Sequence, residues 1–119
     1  MLLNEPTVVC TPTRDGRCAI LSVGGEVDLA TLPRFRRALV PVLDAASVLV
    51  VSLDDVGHLS AAGVRFLEEI RAVKEDQGGG LLLQCGEHRP ARLVLQALGI
   101  PVITELPISL RSGASVTPP

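Results

Sequence analysis

The sequence predicts an α/β fold in one domain: a mixed, mostly parallel sheet with helices packed against it. Short apolar runs rich in β-branched residues alternate with longer runs of helical periodicity, in the order β-β-α-β-α-β-α with a candidate last strand. An Asp-Gly dipeptide between the first two runs predicts a hairpin, so one strand pair is antiparallel. The nearly unbroken apolar run at residues 47–53 is typical of a strand buried on both faces of a sheet.

The N-terminal hairpin comes first in this order. Residues 7–13 and 18–23 are its two strands, and Asp15-Gly16 is the tight turn between them. Glycines 24 and 25 follow the second strand. Because glycine weakens a strand interior, we expect this pair either to end the strand or to form a bulge in it.

Three cysteines are distributed without the spacing of a metal site. In the register set by the hairpin turn, Cys10 faces Leu21 and Thr13 faces Cys18. Cys10 and Cys18 then point to opposite faces of the sheet, so a disulfide between them is disfavoured. We expect all three cysteines, Cys85 included, to be reduced and to pack as small apolar residues.

The first helix is predicted to begin at Thr31, as N-cap, with Pro33 in its first turn. Pro41 conflicts with a longer helix, because proline lacks the amide hydrogen that a helix interior needs, so the helix should kink or stop near Val40. Apolar residues recur at helical spacing along it, with arginines between them: Leu32, Phe35, Leu39 and Val42.

The central strand covers residues 47–53, and Asp54-Asp55 are expected to end it. Residues 61–76 form the second helix, which the glycines at 78–80 terminate. Its apolar stripe has helical periodicity: Val64, Leu67, Ile70 and Val73 with Lys74.

Residues 81–85 form a short strand and residues 90–98 a third helix. Gly99 stands where the left-handed residue of a Schellman stop belongs. Residues 102–103 are expected to add a last edge strand. The domain is predicted to span residues 1–111, with residues 108–110 docking locally, and residues 112–119 (SGASVTPP) to form a flexible tail.

Composition excludes several classes of function. The formal net charge is −2, so the chain lacks the basic excess that would neutralise phosphates, and we expect no nucleic-acid partner. Only 2% of the residues are aromatic, too few to stack bases. No run approaches the length of about 20 apolar residues that spans a membrane, and the N-terminus does not resemble a signal peptide. We therefore expect a cytoplasmic protein without membrane insertion.

Residues capable of catalysis are few and poorly arranged. His58 and Ser60 are close in sequence, but no carboxylate is placed to orient the histidine, and no G-x-S-x-G elbow surrounds the serine. Asp54-Asp55 are interpreted as surface carboxylates and not as metal ligands. The glycine runs lack phosphate-loop spacing. We expect no catalytic residue, no metal and no cofactor.

The stretch VGHLSAAGVRF, residues 56–66, joins the central strand to the second helix. Ser60 is the expected N-cap, and Ala61, Ala62 and Gly63 follow it with almost no side chain. Two interpretations remain open at this point. The small residues either let another protein approach the start of the helix closely, or they pack under a neighbouring loop of the same chain.

Three stretches, in order and with matching spacing, resemble the STAS domain family over about residues 7–106, and in particular its single-domain anti-sigma factor antagonists. ILSVGGEVDLATLPRFRRAL resembles the family's second strand, its G-E-[LV]-D turn and its first helix. VLVVSLDDVGHLSAAGVRFLEEI resembles its central strand, its V-x-F-[IL]-D-S-S-G-[LV] junction and its next helix. GGGLLLQCGEHRPARLVLQALGI resembles the later glycine-ended helix, strand and third helix.

The resemblance implies a function and a switch. Such antagonists bind an anti-sigma factor, commonly a serine-kinase-type protein, and so release the sigma factor. The kinase phosphorylates the first serine of D-S-S-G, and the phosphorylated form dissociates. In this sequence the motif is degenerate, SAAG: Ser60 stands for the aspartate, Ala61 for the phosphoacceptor and Ala62 for the second serine. A methyl group cannot accept phosphate.

Three outcomes follow from this departure. In the first, the domain binds its anti-sigma partner but is locked in the unphosphorylated-like state, and in the second, Ser60 replaces Ala61 as the phosphate acceptor. In the third, the fold is a binding module in another assembly, such as a stress-signalling complex or a lipid-transport accessory subunit. We expect the first. The predicted partner-binding surface comprises the loop after the second strand and the junction: Gly25, Glu26, Asp28, Leu29, His58, Ser60, Ala61, Ala62, Gly63, Val64 and Arg65.

Overall fold

The computed structural model describes residues 5–106, which contain four strands and three α-helices. A short 3-10 turn, Val40–Val42, follows the first helix. The strands are β1 (Thr7–Pro12), β2 (Cys18–Val27), β3 (Val48–Leu59) and β4 (Gly80–Gln84). The helices are α1 (Leu32–Leu39), α2 (Ala61–Asp76) and α3 (Pro90–Ala97).

The strands form one sheet in the order β1-β2-β3-β4. β1 pairs antiparallel with β2, whereas β2 with β3 and β3 with β4 pair in parallel. The hairpin has the predicted register, with Cys10 opposite Leu21 and the Thr13 amide donating to the Cys18 carbonyl at 2.9 Å. The predicted α/β class and its mixed, mostly parallel sheet are confirmed.

The core lies between the three helices and one face of the sheet, where alternate strand residues such as Leu21 and Val51 are fully buried. Phe35 of α1 meets Phe66 of α2 edge to face, with ring centroids 5.6 Å apart. Val50, which points to the opposite face of the sheet, is fully buried as well. The centre of β3 is therefore buried on both faces, as its unbroken apolar run predicts.

Two strands extend further than the sequence predicts. β2 continues through Gly24-Gly25 to Val27, and its register with β3 shifts at these glycines, so the bulge is the correct alternative. β3 does not end at Asp54-Asp55 but continues to Leu59. The prediction was wrong because the Asp54 carboxylate accepts the Gly86 amide at 2.7 Å, which stabilises a charge inside the strand, and because Leu59 beyond it is buried.

The first helix stops at Leu39, and the 3-10 turn that contains Pro41 follows directly, as predicted. Thr31 occupies the N-cap position but forms no side-chain cap. Its hydroxyl instead donates to the Glu26 carbonyl at 2.8 Å and accepts the Asp28 amide at 3.0 Å. The threonine therefore closes the turn between β2 and α1.

The end of α3 has the predicted Schellman geometry. Gly99 has a φ of 70°, its amide donates to the Gln96 carbonyl, and the Ile100 amide donates to the Leu95 carbonyl. The predicted strand at 102–103 is reduced to a single bridge between Ile103 and β4. The predictions for residues 108–110, for a domain end at 111 and for a tail at 112–119 concern positions outside the described residues.

Lys74 on the predicted apolar stripe of α2 is buried, with 4% of its surface exposed. Its ammonium donates to the carbonyls of Leu43 and Ala46 at 2.9 and 2.8 Å. Both carbonyls belong to the connection between α1 and β3. The lysine thus ties the C-terminal half of α2 to that connection, which fixes the helix on the sheet.

Candidate functional site

The junction between β3 and α2 is built on the last residues of two parallel strands. Val27 at the end of β2 pairs with Leu59 at the end of β3, and the Val27 carbonyl accepts the Ser60 amide at 2.9 Å. Ser60 has extended dihedral angles, and its hydroxyl accepts the Gly63 amide at 3.3 Å. Ser60 is therefore the N-cap of α2, as predicted, and the first turn of the helix lies against the end of the sheet.

Gly63 is small because this chain, and not a partner, approaches it. A Cβ at Gly63 would lie 2.7 Å from Val27 Cγ1, 3.0 Å from the Val27 carbonyl oxygen and 3.1 Å from Leu59 Cδ1. Gly63 is buried, and Val64 is only 3% exposed. For these two residues, packing within the chain explains the small or apolar side chain, so the exposed part of the junction is narrower than the predicted set of residues.

Other residues of the junction face solvent. Ala61 and Arg65 on α2 are exposed, as is His58 at the end of β3, while Ala62 is half-buried. The first turn of α2 carries no acidic residue. The accessible start of the helix is therefore slim and uncharged, with a cation one turn further along the same helix.

The loop after β2 lies beside this helix start, because Glu26 pairs with His58 across β2 and β3. Two reciprocal hydrogen bonds hold the loop: the Asp28 carboxylate accepts the Thr31 amide at 2.9 Å, and the Thr31 hydroxyl accepts the Asp28 amide at 3.0 Å. Gly25 has a φ of 87°, which favours glycine. The closed loop presents Leu29, whose surface is 73% exposed.

The structure thus brings the two predicted parts of the partner surface together. We call the four exposed residues of these parts, together with the half-buried Ala62, the tip surface, and define it by five residues: Leu29, His58, Ala61, Ala62 and Arg65. A groove of about 340 Å³, which the sequence did not predict, adjoins the tip surface at Leu29 and is lined by Leu32, Pro33, Arg36 and Arg37. In the sequence the groove corresponds to the arginines between the apolar positions of the first helix, a pattern that by itself indicates a solvated helix face.

The described part of the chain shows little that suggests chemistry at this tip. No hydrogen bond joins His58 to Ser60 within residues 5–106, and the same residues contain no group of three or more acidic, histidine or cysteine side chains that could hold a metal ion. Burial raises the pKa of the Cys85 thiol, and the nearby Asp54 carboxylate adds to the effect. Cys85 belongs to the core, so this shift serves no reaction at the tip.

A polar cavity of about 660 Å³ lies at the end of β4. Three of its polar side chains are already paired: Gln84 accepts the Ser52 hydroxyl and donates to the Thr104 carbonyl, and Asp54 accepts the Gly86 amide. None of the α-helices described within residues 5–106 is long and apolar enough to cross a membrane.

The sequence of this chain is similar to those of known proteins. Residues 10–100 match the family model described as Mlab, STAS domain. The anti-sigma-B factor antagonist of Bacillus subtilis (strain 168) is 32% identical over 74 residues, which cover 61% of this chain and 67% of the relative.

Two solved structures share the fold. An anti-sigma factor antagonist from Mycobacterium paratuberculosis superimposes with a TM-score of 0.64 at 24% identity, over 93% of this chain and 96% of that one. The STAS domain of an antisigma-factor antagonist from Rhodobacter sphaeroides gives 0.53 at 20% identity, over 68% and 85%. Since the family model covers most of the chain and the curated relative is similar over two thirds of its own length, this chain belongs to the STAS domain family.

Proposed function

We propose that this chain is an anti-sigma factor antagonist that binds a serine-kinase-type anti-sigma factor through its tip surface. The observation that carries the proposal is the exposed, slim start of α2, with Ala61 beside the closed loop that presents Leu29. The similarity to the Bacillus subtilis antagonist supports it. Binding without catalysis or cofactor is the proposed activity, and its proposed location is the cytoplasm.

The tip surface is suited to close contact with another protein. The hydrogen bonds between Asp28 and Thr31 hold the loop before binding, so little conformational entropy is lost when a partner docks. The methyl groups of Ala61 and Ala62 add no charge that would have to be desolvated. Leu29 offers an exposed apolar side chain of the kind that a partner's pocket can enclose.

We propose further that the usual phosphorylation switch is absent. Ala61 stands at the family's acceptor position and has no hydroxyl. The neighbouring hydroxyl, on Ser60, is half-buried and already accepts the Gly63 amide. A phosphate on Ser60 would disrupt this cap, which is worth about 0.5–1 kcal/mol. Without a phosphorylation switch, the domain would remain bound to its partner in the presence of ATP.

The experiment combines binding with phosphate mapping. Each serine-kinase-type anti-sigma factor of the source organism is purified, titrated with this chain, and incubated with it and ATP before mass spectrometry. We expect one of them to bind and no phosphate to be transferred. The Ala61→Ser variant should bind equally well without ATP and acquire phosphate at position 61. Phosphate on Ser60 or Thr31 of the wild type would contradict the locked state.

A second candidate function is a binding module in another assembly, such as a stress-signalling complex or a lipid-transport accessory subunit. Ala61 favours it, because an assembly that needs no switch needs no acceptor serine. The family model that matches this chain is described as Mlab, STAS domain, without mention of an antagonist, and this also favours the second candidate. Failure of every kinase-type anti-sigma factor to bind the wild type would support this candidate over the first.

A further inference from the structure

The groove on α1 adjoins the tip surface and has its own chemistry. Its lining combines three apolar residues, Leu29, Leu32 and Pro33, with two cations, Arg36 and Arg37. The cavity, about 340 Å³, has room for one large side chain of another protein. Because Leu29 belongs to both surfaces, a partner that covers the tip surface also reaches the groove.

Neither arginine of the groove takes part in an ion pair within residues 5–106. The ion pairs of residues 5–106 join Arg17 to Asp15, Arg34 to Glu5 and Arg71 to Glu68, and they include neither Arg36 nor Arg37. Both side chains are exposed. In a chain whose formal net charge is −2, the groove therefore combines apolar residues with two exposed cations.

Arg36 is also held in place. Its guanidinium carbon lies 4.6 Å from the centre of the Phe66 ring, so the cation contacts an aromatic residue of α2. A guanidinium held in this way loses less side-chain entropy when it binds a carboxylate, to which it can donate two parallel hydrogen bonds. Arginine is frequent among the residues that dominate the binding energy of protein interfaces.

We propose that the α1 groove receives an apolar side chain of the protein partner that is flanked by carboxylates, with the carboxylates bound by Arg36 and Arg37. Two features select this occupant: the positive charges of Arg36 and Arg37, which are complementary to carboxylates, and the continuity of the groove with the tip surface. The proposal rests on the proposed function, which it deepens by specifying an acidic, apolar-centred patch on the anti-sigma factor.

Arg37 allows a clean test because it lines the groove, whereas the cation that stacks on Phe66 is Arg36. The variants are Arg37→Gln, which removes the charge, and Arg37→Glu, which reverses it. The control is Arg14→Glu, the same reversal on an exposed arginine in the hairpin turn. Calorimetric titration with the purified anti-sigma factor is carried out at about 0.05 M and about 0.5 M salt, where screening differs strongly.

We expect Arg37→Glu to weaken binding at least tenfold at low salt and Arg37→Gln to weaken it less, with both losses reduced at high salt. Arg14→Glu should bind within twofold of the wild type. Equal affinity of wild type and Arg37→Glu would overturn the groove proposal. In that case a lowered Tm of the variant would assign Arg37 the lesser role of stabilising the C-terminal end of α1.

Failure of the groove proposal differs from failure of the proposed function. If Arg37→Glu binds normally while Ala61→Glu binds weakly, the tip surface is the contact and the groove is not. If the wild type binds no kinase-type anti-sigma factor, the proposed function fails, and the groove proposal fails with it.

Discussion

Replacing Gly63 by alanine tests how tightly α2 is seated on the end of the sheet. The added methyl would lie 2.7 Å from Val27 Cγ1 and 3.0 Å from the Val27 carbonyl oxygen. That oxygen cannot withdraw easily, because it accepts the Ser60 amide and Val27 pairs with Leu59 in the sheet. The helix start must therefore shift to accommodate the methyl.

Two opposing effects set the magnitude. Alanine in place of glycine favours a helix by up to about 1 kcal/mol. Inserting a methyl into a packed site costs about 1–3 kcal/mol. Because the closest neighbours of Gly63 are a backbone oxygen and a β-branched side chain, we expect the upper part of that range and a net loss of about 1–2 kcal/mol.

The assay is thermal and chemical unfolding of Gly63→Ala beside Gly57→Ala. Gly57 is an exposed residue of β3, with ordinary φ and no atom within 4 Å of an added Cβ, so its replacement should stabilise the fold by about 0.5–1 kcal/mol. Gly63→Ala should lower the Tm by about 5 °C or more. A Tm of Gly63→Ala equal to or above that of the wild type would refute the packing argument.

Three further predictions concern the frame of the site. Lys74→Met should lower the free energy of unfolding by about 1–3 kcal/mol in urea titrations, because two buried carbonyls lose their donor; unchanged stability would contradict it. Ser60→Ala should cost about 0.5–1 kcal/mol in the same assay, the low end for a cap, since its hydrogen bond is 3.3 Å long. Iodoacetamide should modify Cys10 and Cys18 well before Cys85, because burial raises the pKa of the Cys85 thiol. The folded thiol holds its proton more tightly than the unfolded one, so the free energy of unfolding should fall as the pH rises above the ordinary thiol range. The Cys85→Ala variant should lack this part of the pH dependence.

Much of the fold follows from local signals that act within a few residues. Asp15-Gly16 sets the hairpin register, Pro41 stops α1, and Gly99 ends α3, each by a backbone preference that the residue carries in any context. The apolar run of the central strand likewise indicates burial on both faces. These features could be predicted because no distant part of the chain is needed to produce them.

Other features depend on contacts that are distant in sequence. Asp54 can remain inside β3 only because the Gly86 amide, 32 residues later, binds its carboxylate. Gly63 faces Val27 across the end of the sheet, so its small size allows close packing within this chain. From the sequence alone, close approach by a partner explained the small residue equally well. The groove was missed because its two arginines, by spacing alone, indicate only a solvated helix face.

The central claim is that a partner contacts the exposed start of α2, and one affinity measurement tests it most directly. Ala61→Glu places a carboxylate at the start of α2, where the helix dipole favours it, so the fold should not be destabilised. Ala72→Glu makes the same change on an exposed residue of α2 about 16 Å further along the helix. With the purified anti-sigma factor, we expect Ala61→Glu to weaken binding at least tenfold and Ala72→Glu to leave it unchanged. Equal affinities for both variants and the wild type would contradict the claim.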